Sequence, residues 1–179
     1  MNIKELREKY PLMFPPEEDR YTPISLFGVE CGSGWDKIIE TVFRLFYAPY
    51  QNALDSLDYW KKLKERGGSE FTPLEKVEEY IIQDETRVEQ EKEKIPVIQQ
   101  VKEKFGTLRI YCDYNSDYVR GIVDMAECMS AFTCEKCGNQ GKTYTVDWYQ
   151  TLCKEHAAEK YGKALLENHD TEDAENEEQ

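Results

Sequence analysis

Cys134-Glu135-Lys136-Cys137-Gly138 and Cys153-Lys154-Glu155-His156 set four soft donors in two pairs, with two residues inside each pair and 15 residues between the pairs. Two intervening residues let one tight turn aim both side chains at a single point, and the longer span fits the spacing of zinc-ribbon ligand pairs. The expected ligand set is therefore Cys134, Cys137, Cys153 and His156 around one zinc ion. Three thiolates and an imidazole fill a tetrahedral site and leave no position for water, so this zinc is structural, not catalytic. Gly138 lacks a Cβ, which lets backbone N–H groups approach the sulfurs. Lys136, Lys142 and Lys154 are placed to offset the net negative charge of a zinc ion with three thiolates.

The rest of the chain is poor in catalytic groups. It has two histidines; once His156 is a ligand only His169 remains, inside an acidic terminal segment. Without a histidine base, Ser-His and Cys-His nucleophilic schemes lose their activating partner. The nucleobase-deaminase pattern needs an upstream H-x-E and a proline before its C-x-x-C; here Thr133 precedes Cys134 and no histidine lies upstream. No pair stands out among 36 carboxylates. The balance favours a binding protein over an enzyme.

A second group could bind a partner. In the stretch from Lys102 to Tyr111, Leu108, Ile110 and Cys112 are expected to face inward, with Thr107, Arg109 and Tyr111 outward. Arg109 and Tyr111 beside Lys102 and Lys104 form a face able to grip a carboxylate, a phosphate or a partner loop. An ordinary exposed strand, with Arg109 paired to Glu103 or Glu127, is the equal alternative. Gly32-Ser33-Gly34 reads as a capped turn; it lacks the Lys-Ser/Thr of a phosphate loop, and Asp36 would repel an anion.

These residues need elements to position them. Four prolines within residues 1–24 suggest an arm wrapped over the domain, anchored by Met13 and Phe14. A strand is expected over 25–30. A helix follows near 35–47, capped by Ser33 and stopped by Pro49, with Trp35, Ile38, Ile39, Val42, Phe43 and Phe46 on one face. Residues 50–94 read as an inserted helical hairpin whose second helix opens on the capping box Thr72-Pro73-Leu74-Glu75. Strands at 97–101 and 107–113, joined near Phe105-Gly106, precede a helix over 116–131. The fold class is α+β, a small mixed sheet with covering helices. The expected divisions are 1–132 for the main domain with the 50–94 insertion, 133–162 for a zinc-ribbon-like module packed on it, and 163–179 for a helix end and disordered acidic tail. Cys31, Cys112 and Cys128 are expected to pack as small hydrophobes.

Composition sets outer limits. In 179 residues, 33% are charged, 40% are hydrophobic and the net charge is −13; the mean hydropathy is −0.76. Seven acidic residues and no Lys or Arg fall in 167–179; 36 acidic residues less these seven leaves 29 against 23 basic, a net −6 for the remainder. Nothing provides the global basic surface that nucleic acid requires, so nucleic acid ranks last among partners. No stretch is long and apolar enough to span a bilayer, and the charged segment Met1–Tyr10 is unlike a signal peptide. A cytoplasmic protein without membrane partners is expected.

The segments GVECGSGWDKIIE (28–40), VKEKFGTLRIY (101–111), DMAECMSAFTCEKCGNQG (124–141) and WYQTLCKEH (148–156) together resemble a family of small, largely uncharacterised proteins encoded by phages and bacterial mobile elements. They span about half the chain and include all four proposed ligands. The resemblance implies a phage-encoded protein acting in the host cytoplasm. The leading expectation is a zinc-stabilised, non-enzymatic protein that binds and modulates or inhibits a host protein. A nucleotide or small-ligand binder using Lys102, Lys104, Arg109 and Tyr111 is the alternative, and a nucleic-acid-binding zinc protein the third.

Overall fold

The computed structural model describes residues 3–16, 21–114, 116–146 and 148–162. The expected acidic tail and His169 lie outside them. The chain is α+β: six α-helices and five strands are formed among the described residues. Three strands make a mixed sheet, with β1 (Val29–Glu30) parallel to β2 (Ile98–Lys104) and β2 antiparallel to β3 (Thr107–Cys112).

Four apolar side chains of the inner sheet face, Ile98, Val101, Leu108 and Ile110, are buried. They pack in one cluster with Trp35, Ile39, Val42 and Phe43 from the helical side. The last three lie on α3 (Asp36–Glu65), which recurs to the core every three or four residues as a helix must. The N-terminal arm covers the same core. It forms α1 (Ile3–Lys9) and a 3₁₀ turn (Pro11–Met13), and Met13 and Phe14 are buried anchors as expected.

Several expectations are corrected. Residues Pro23–Phe27 form helix α2, not a strand, because Pro23 sits favourably in a first turn and Gly28, at φ 70°, closes the helix. The strand shrinks to Val29–Glu30. Pro49 does not stop α3, which runs through it for 30 residues. The first arm of the supposed insertion is therefore the far end of a core helix, not a separate element. Proline leaves the carbonyl four residues back without its helical donor. That carbonyl belongs to Leu45, and the Tyr118 hydroxyl donates to it at 2.9 Å.

The far half of α3 packs on α4 (Leu74–Glu93) through Ala53, Leu57 and Val88. The nearly buried Asp84 carboxylate accepts the Ser56 hydroxyl at 2.5 Å across the pair. The capping box is absent: α4 begins at Leu74 without a side-chain cap, and Thr72 instead closes a turn with Ser69. Ser33 does not cap α3 either. It opens a 3₁₀ turn (Ser33–Trp35), and its hydroxyl reaches the Lys136 carbonyl at 3.5 Å. Cys31 and Cys112 pack against the core, but Cys128 is exposed.

Helix α5 (Asp117–Ser130) is capped by the Ser116 hydroxyl, which accepts the Val119 amide at 3.2 Å. At its other end Ser130 is fully buried. Its hydroxyl accepts the Leu108 amide at 2.8 Å and donates to the Glu127 carbonyl, so the open edge of β3 is tied to the helix end. The C-terminal part comprises the hairpin β4 (Lys142–Tyr144) and β5 (Gln150–Leu152), followed by α6 (Lys154–Tyr161).

Candidate metal centre

The C-x-x-C turn lies directly before the β4–β5 hairpin, and the C-x-x-H opens α6, with Cys153 at its N-cap and His156 in its first turn. The hairpin folds the two pairs together. One ligand atom from each of Cys134, Cys137, Cys153 and His156 lies within 4.8 Å of all the others. Cys137 Sγ is 3.8 Å from Cys153 Sγ, while His156 Nδ1 is 3.5 Å from Cys134 Sγ and 3.2 Å from Cys153 Sγ. A tetrahedral zinc with ordinary Zn–S and Zn–N arms has edges of about 3.8 Å and roughly 3.5 Å. The four residues are close enough to hold a metal ion, and the donor set fits zinc. Among the described residues no other group of three or more His, Cys, Asp or Glu is arranged to do so.

Cys134 is fully buried and Cys137 exposed. Burial opposes ionisation of Cys134, but the backbone amides of Cys153, Cys137 and Lys136 together outweigh it and bring its thiol down to about 6. Cys137 has the Asn139 amide in its favour, yet desolvation and the neighbouring Cys134 and Cys153 hold its thiol above the ordinary value. The N-terminus of α6 adds its positive end where thiolate charge collects. Cys31, desolvated and near Glu135 and Asp36, is pushed up to about 12, which suits a packed thiol rather than a reactive one.

The centre is fastened to the main domain at two places. The first is the Gly32-Ser33-Gly34 turn. The Gly34 amide donates to the Glu135 carbonyl at 2.7 Å, and the Gly32 amide to the Glu135 carboxylate at 2.9 Å. The fully buried Trp35 donates its indole N–H to the Thr133 carbonyl at 2.7 Å. A Cβ on Gly34 would fall 2.1 Å from the Cys134 carbonyl oxygen, so only glycine fits. The second is the β2–β3 turn at Phe105-Gly106. The buried Thr151 donates to the Gly106 carbonyl at 2.6 Å, and a Cβ on Gly106 would press on Thr143.

The expected contact face is divided. Lys102 and Tyr111 come together, the ammonium 5.3 Å from the ring centre. Arg109 turns away to pair with Glu127 on α5 at 2.6 Å, with about a quarter of its side chain exposed. Lys104 lies over Phe105. Beside it is a cluster that the residue types alone did not single out. Phe105, Trp148 and Tyr149 form an exposed aromatic group, with ring centres 6.3 and 5.8 Å from Phe105. Its signal in the chain is the Trp-Tyr pair in the loop between two short strands. Phe105 also holds φ at 54°, a conformation that bulky residues avoid.

No family model, curated protein or solved structure matches this chain. Among the described residues no helix is long and apolar enough to cross a membrane.

Proposed function

We propose that this chain is a non-enzymatic binding protein in which one structural zinc braces a hairpin tip against its partner. The observation that carries the reading is Phe105, a bulky aromatic kept at positive φ and left half exposed beside Trp148 and Tyr149. Such backbone strain costs about 1–2 kcal/mol and is offset only in part by contact with two rings that are themselves exposed, which is the pattern of a side chain held out for contact. Exposed Trp and Tyr anchors supply large contact area at low entropy cost. Lys104 and Lys102 flank the tip and would draw an acidic partner surface. A closed Cys₃His zinc supports a bracing role because it offers no open coordination position. The resemblance to phage and mobile-element proteins supports a host protein as partner, engaged in the cytoplasm.

Affinity capture from bacterial lysate with the wild-type chain and a Phe105→Gly/Trp148→Ala variant tests this. A stoichiometric protein held by the wild type and lost by the variant is expected. A protein retained equally by both would move the contact away from the tip, and the absence of any stoichiometric partner would contradict a binding role.

A further inference from the structure

Helix α5 buries one apolar face in the domain and leaves an apolar flank largely exposed. Val119, Ala126 and the buried Ser130 point into the domain. Along the flank of that face Tyr118, Ile122, Met125 and Met129 recur at intervals of four, three and four, with Ile122 itself packed against the core, and Phe132 continues the series after three more. Phe132 lies in the turn that closes the helix, its amide bonded to the Met129 carbonyl. That alternation is the seam of a two-helix coiled coil. The seam is bare: Tyr118 is 51% exposed, Met125 62%, Met129 51% and Phe132 71%. Between α5 and α3 the seam borders an apolar groove of about 160 Å³, floored by Ile38, Val42 and Ala126.

We infer that this face is the interface of a two-fold homodimer in which α5 packs antiparallel on α5 of a second copy. The seam can meet its own reversal. With Met125 on the axis, Tyr118 of one copy comes level with Phe132 of the other, and Ile122 comes within one residue of Met129. An aromatic meets an aromatic, and an aliphatic side chain meets a methionine. Gly121, on the flank of the seam, has open space above it, since a Cβ there would meet nothing within 4 Å. The absent Cβ lets the second helix approach. Methionine adapts to irregular gaps, and the α3–α5 groove takes the axial Met125 of the partner.

The area is sufficient. Four exposed seam side chains present on the order of 500 Å² per copy, near the upper end for the largest apolar patch on a monomer. Across a two-fold axis that gives roughly 1,000 Å² before the flanking α3 surface is counted, which is the lower bound for a specific interface. A single face meeting itself also closes the assembly at two copies.

Sedimentation equilibrium of the zinc-loaded full chain, with Cys128→Ser present in every variant, reads the mass directly. A reversible dimer is expected, and Met125→Glu should weaken association at least tenfold while zinc content stays at the wild-type level. Met125→Cys, on the axis, should form an intermolecular disulfide under mild glutathione oxidation, whereas Glu75→Cys, exposed on α4, should not. A chain that stays monomeric up to hundreds of micromolar overturns the proposal. So does a dimer unaffected by Met125→Glu, or one in which Met125→Cys fails to cross-link.

Discussion

The backbone of Gly34 rests on the backbone of Glu135, amide to carbonyl at 2.7 Å, and joins the start of α3 to the middle of the C-x-x-C turn. The contact crosses 101 residues of chain and leaves no room for a side chain on the glycine. The group of Cys134, Cys137, Cys153 and His156, close enough to hold a metal ion, is in this way continuous with the buried Trp35 and the core behind it.

Gly34→Ala should therefore be disproportionately damaging. Its Cβ would meet two carbonyl oxygens and an amide nitrogen, all backbone atoms that cannot swing aside. A loss of about 3 kcal/mol or more is expected in denaturant unfolding, at the severe end for single substitutions. Gly121→Ala, in open space on α5, should stabilise the monomer by up to about 1 kcal/mol through helix propensity.

Tyr118 and Pro49 should be coupled. Tyr118→Phe leaves the Leu45 carbonyl without its donor and should cost about 1 kcal/mol. In a Pro49→Ala background the helix supplies its own amide, so the same change should cost markedly less. A double-mutant cycle by chemical denaturation measures the difference; equal costs in both backgrounds would mean that the hydroxyl does not serve the orphaned carbonyl.

Phe105→Gly should separate stability from binding. Relief of the positive φ is worth about 1 kcal/mol, offset in part by lost contact with Trp148 and Tyr149. The melting temperature should hold or rise by roughly 2–4 °C while partner capture falls.

Acidification should release the metal. In the metal-free fold the Cys134 thiol, at about 6, lies below its ordinary value of 9.0, so the folded state binds fewer protons than the unfolded state between them. The stability from its thiolate is complete above the unfolded value and is lost as pH falls through the folded one. Zinc must further displace protons from Cys137, whose thiol is raised. Affinity therefore falls with pH, and a chelator-dye titration should show retention near pH 8 and substantial release by about pH 5.

Much of this was legible from local spacing. The two ligand pairs are written in four residues each, and the periodicity of Ile39, Val42, Phe43 and Phe46 states both the helix and its buried face. Two of the differences share a cause. Pro49 is a helix breaker by local rules, and what rescues its helix is a tyrosine 69 residues later. Gly32-Ser33-Gly34 is a capped turn by local rules, yet its glycines are demanded by a backbone about 100 residues away. The strand expected at 25–30 gives way to a local signal instead: Pro23 and Gly28 bracket a single short helix. Long-range contacts specify Pro49 and the Gly32-Ser33-Gly34 turn, and no window of the sequence contains both partners.

Cys134, Cys137, Cys153 and His156 are expected to hold one structural zinc that fastens the C-terminal module to the domain. Metal analysis of protein purified without added metal, with thermal unfolding of the same samples, measures this. One zinc per chain is expected for the wild type and for Cys31→Ser, with Cys137→Ser losing both the metal and the order of residues 133–162. Full zinc occupancy in Cys137→Ser, or a metal-free wild type with unchanged stability, would contradict it.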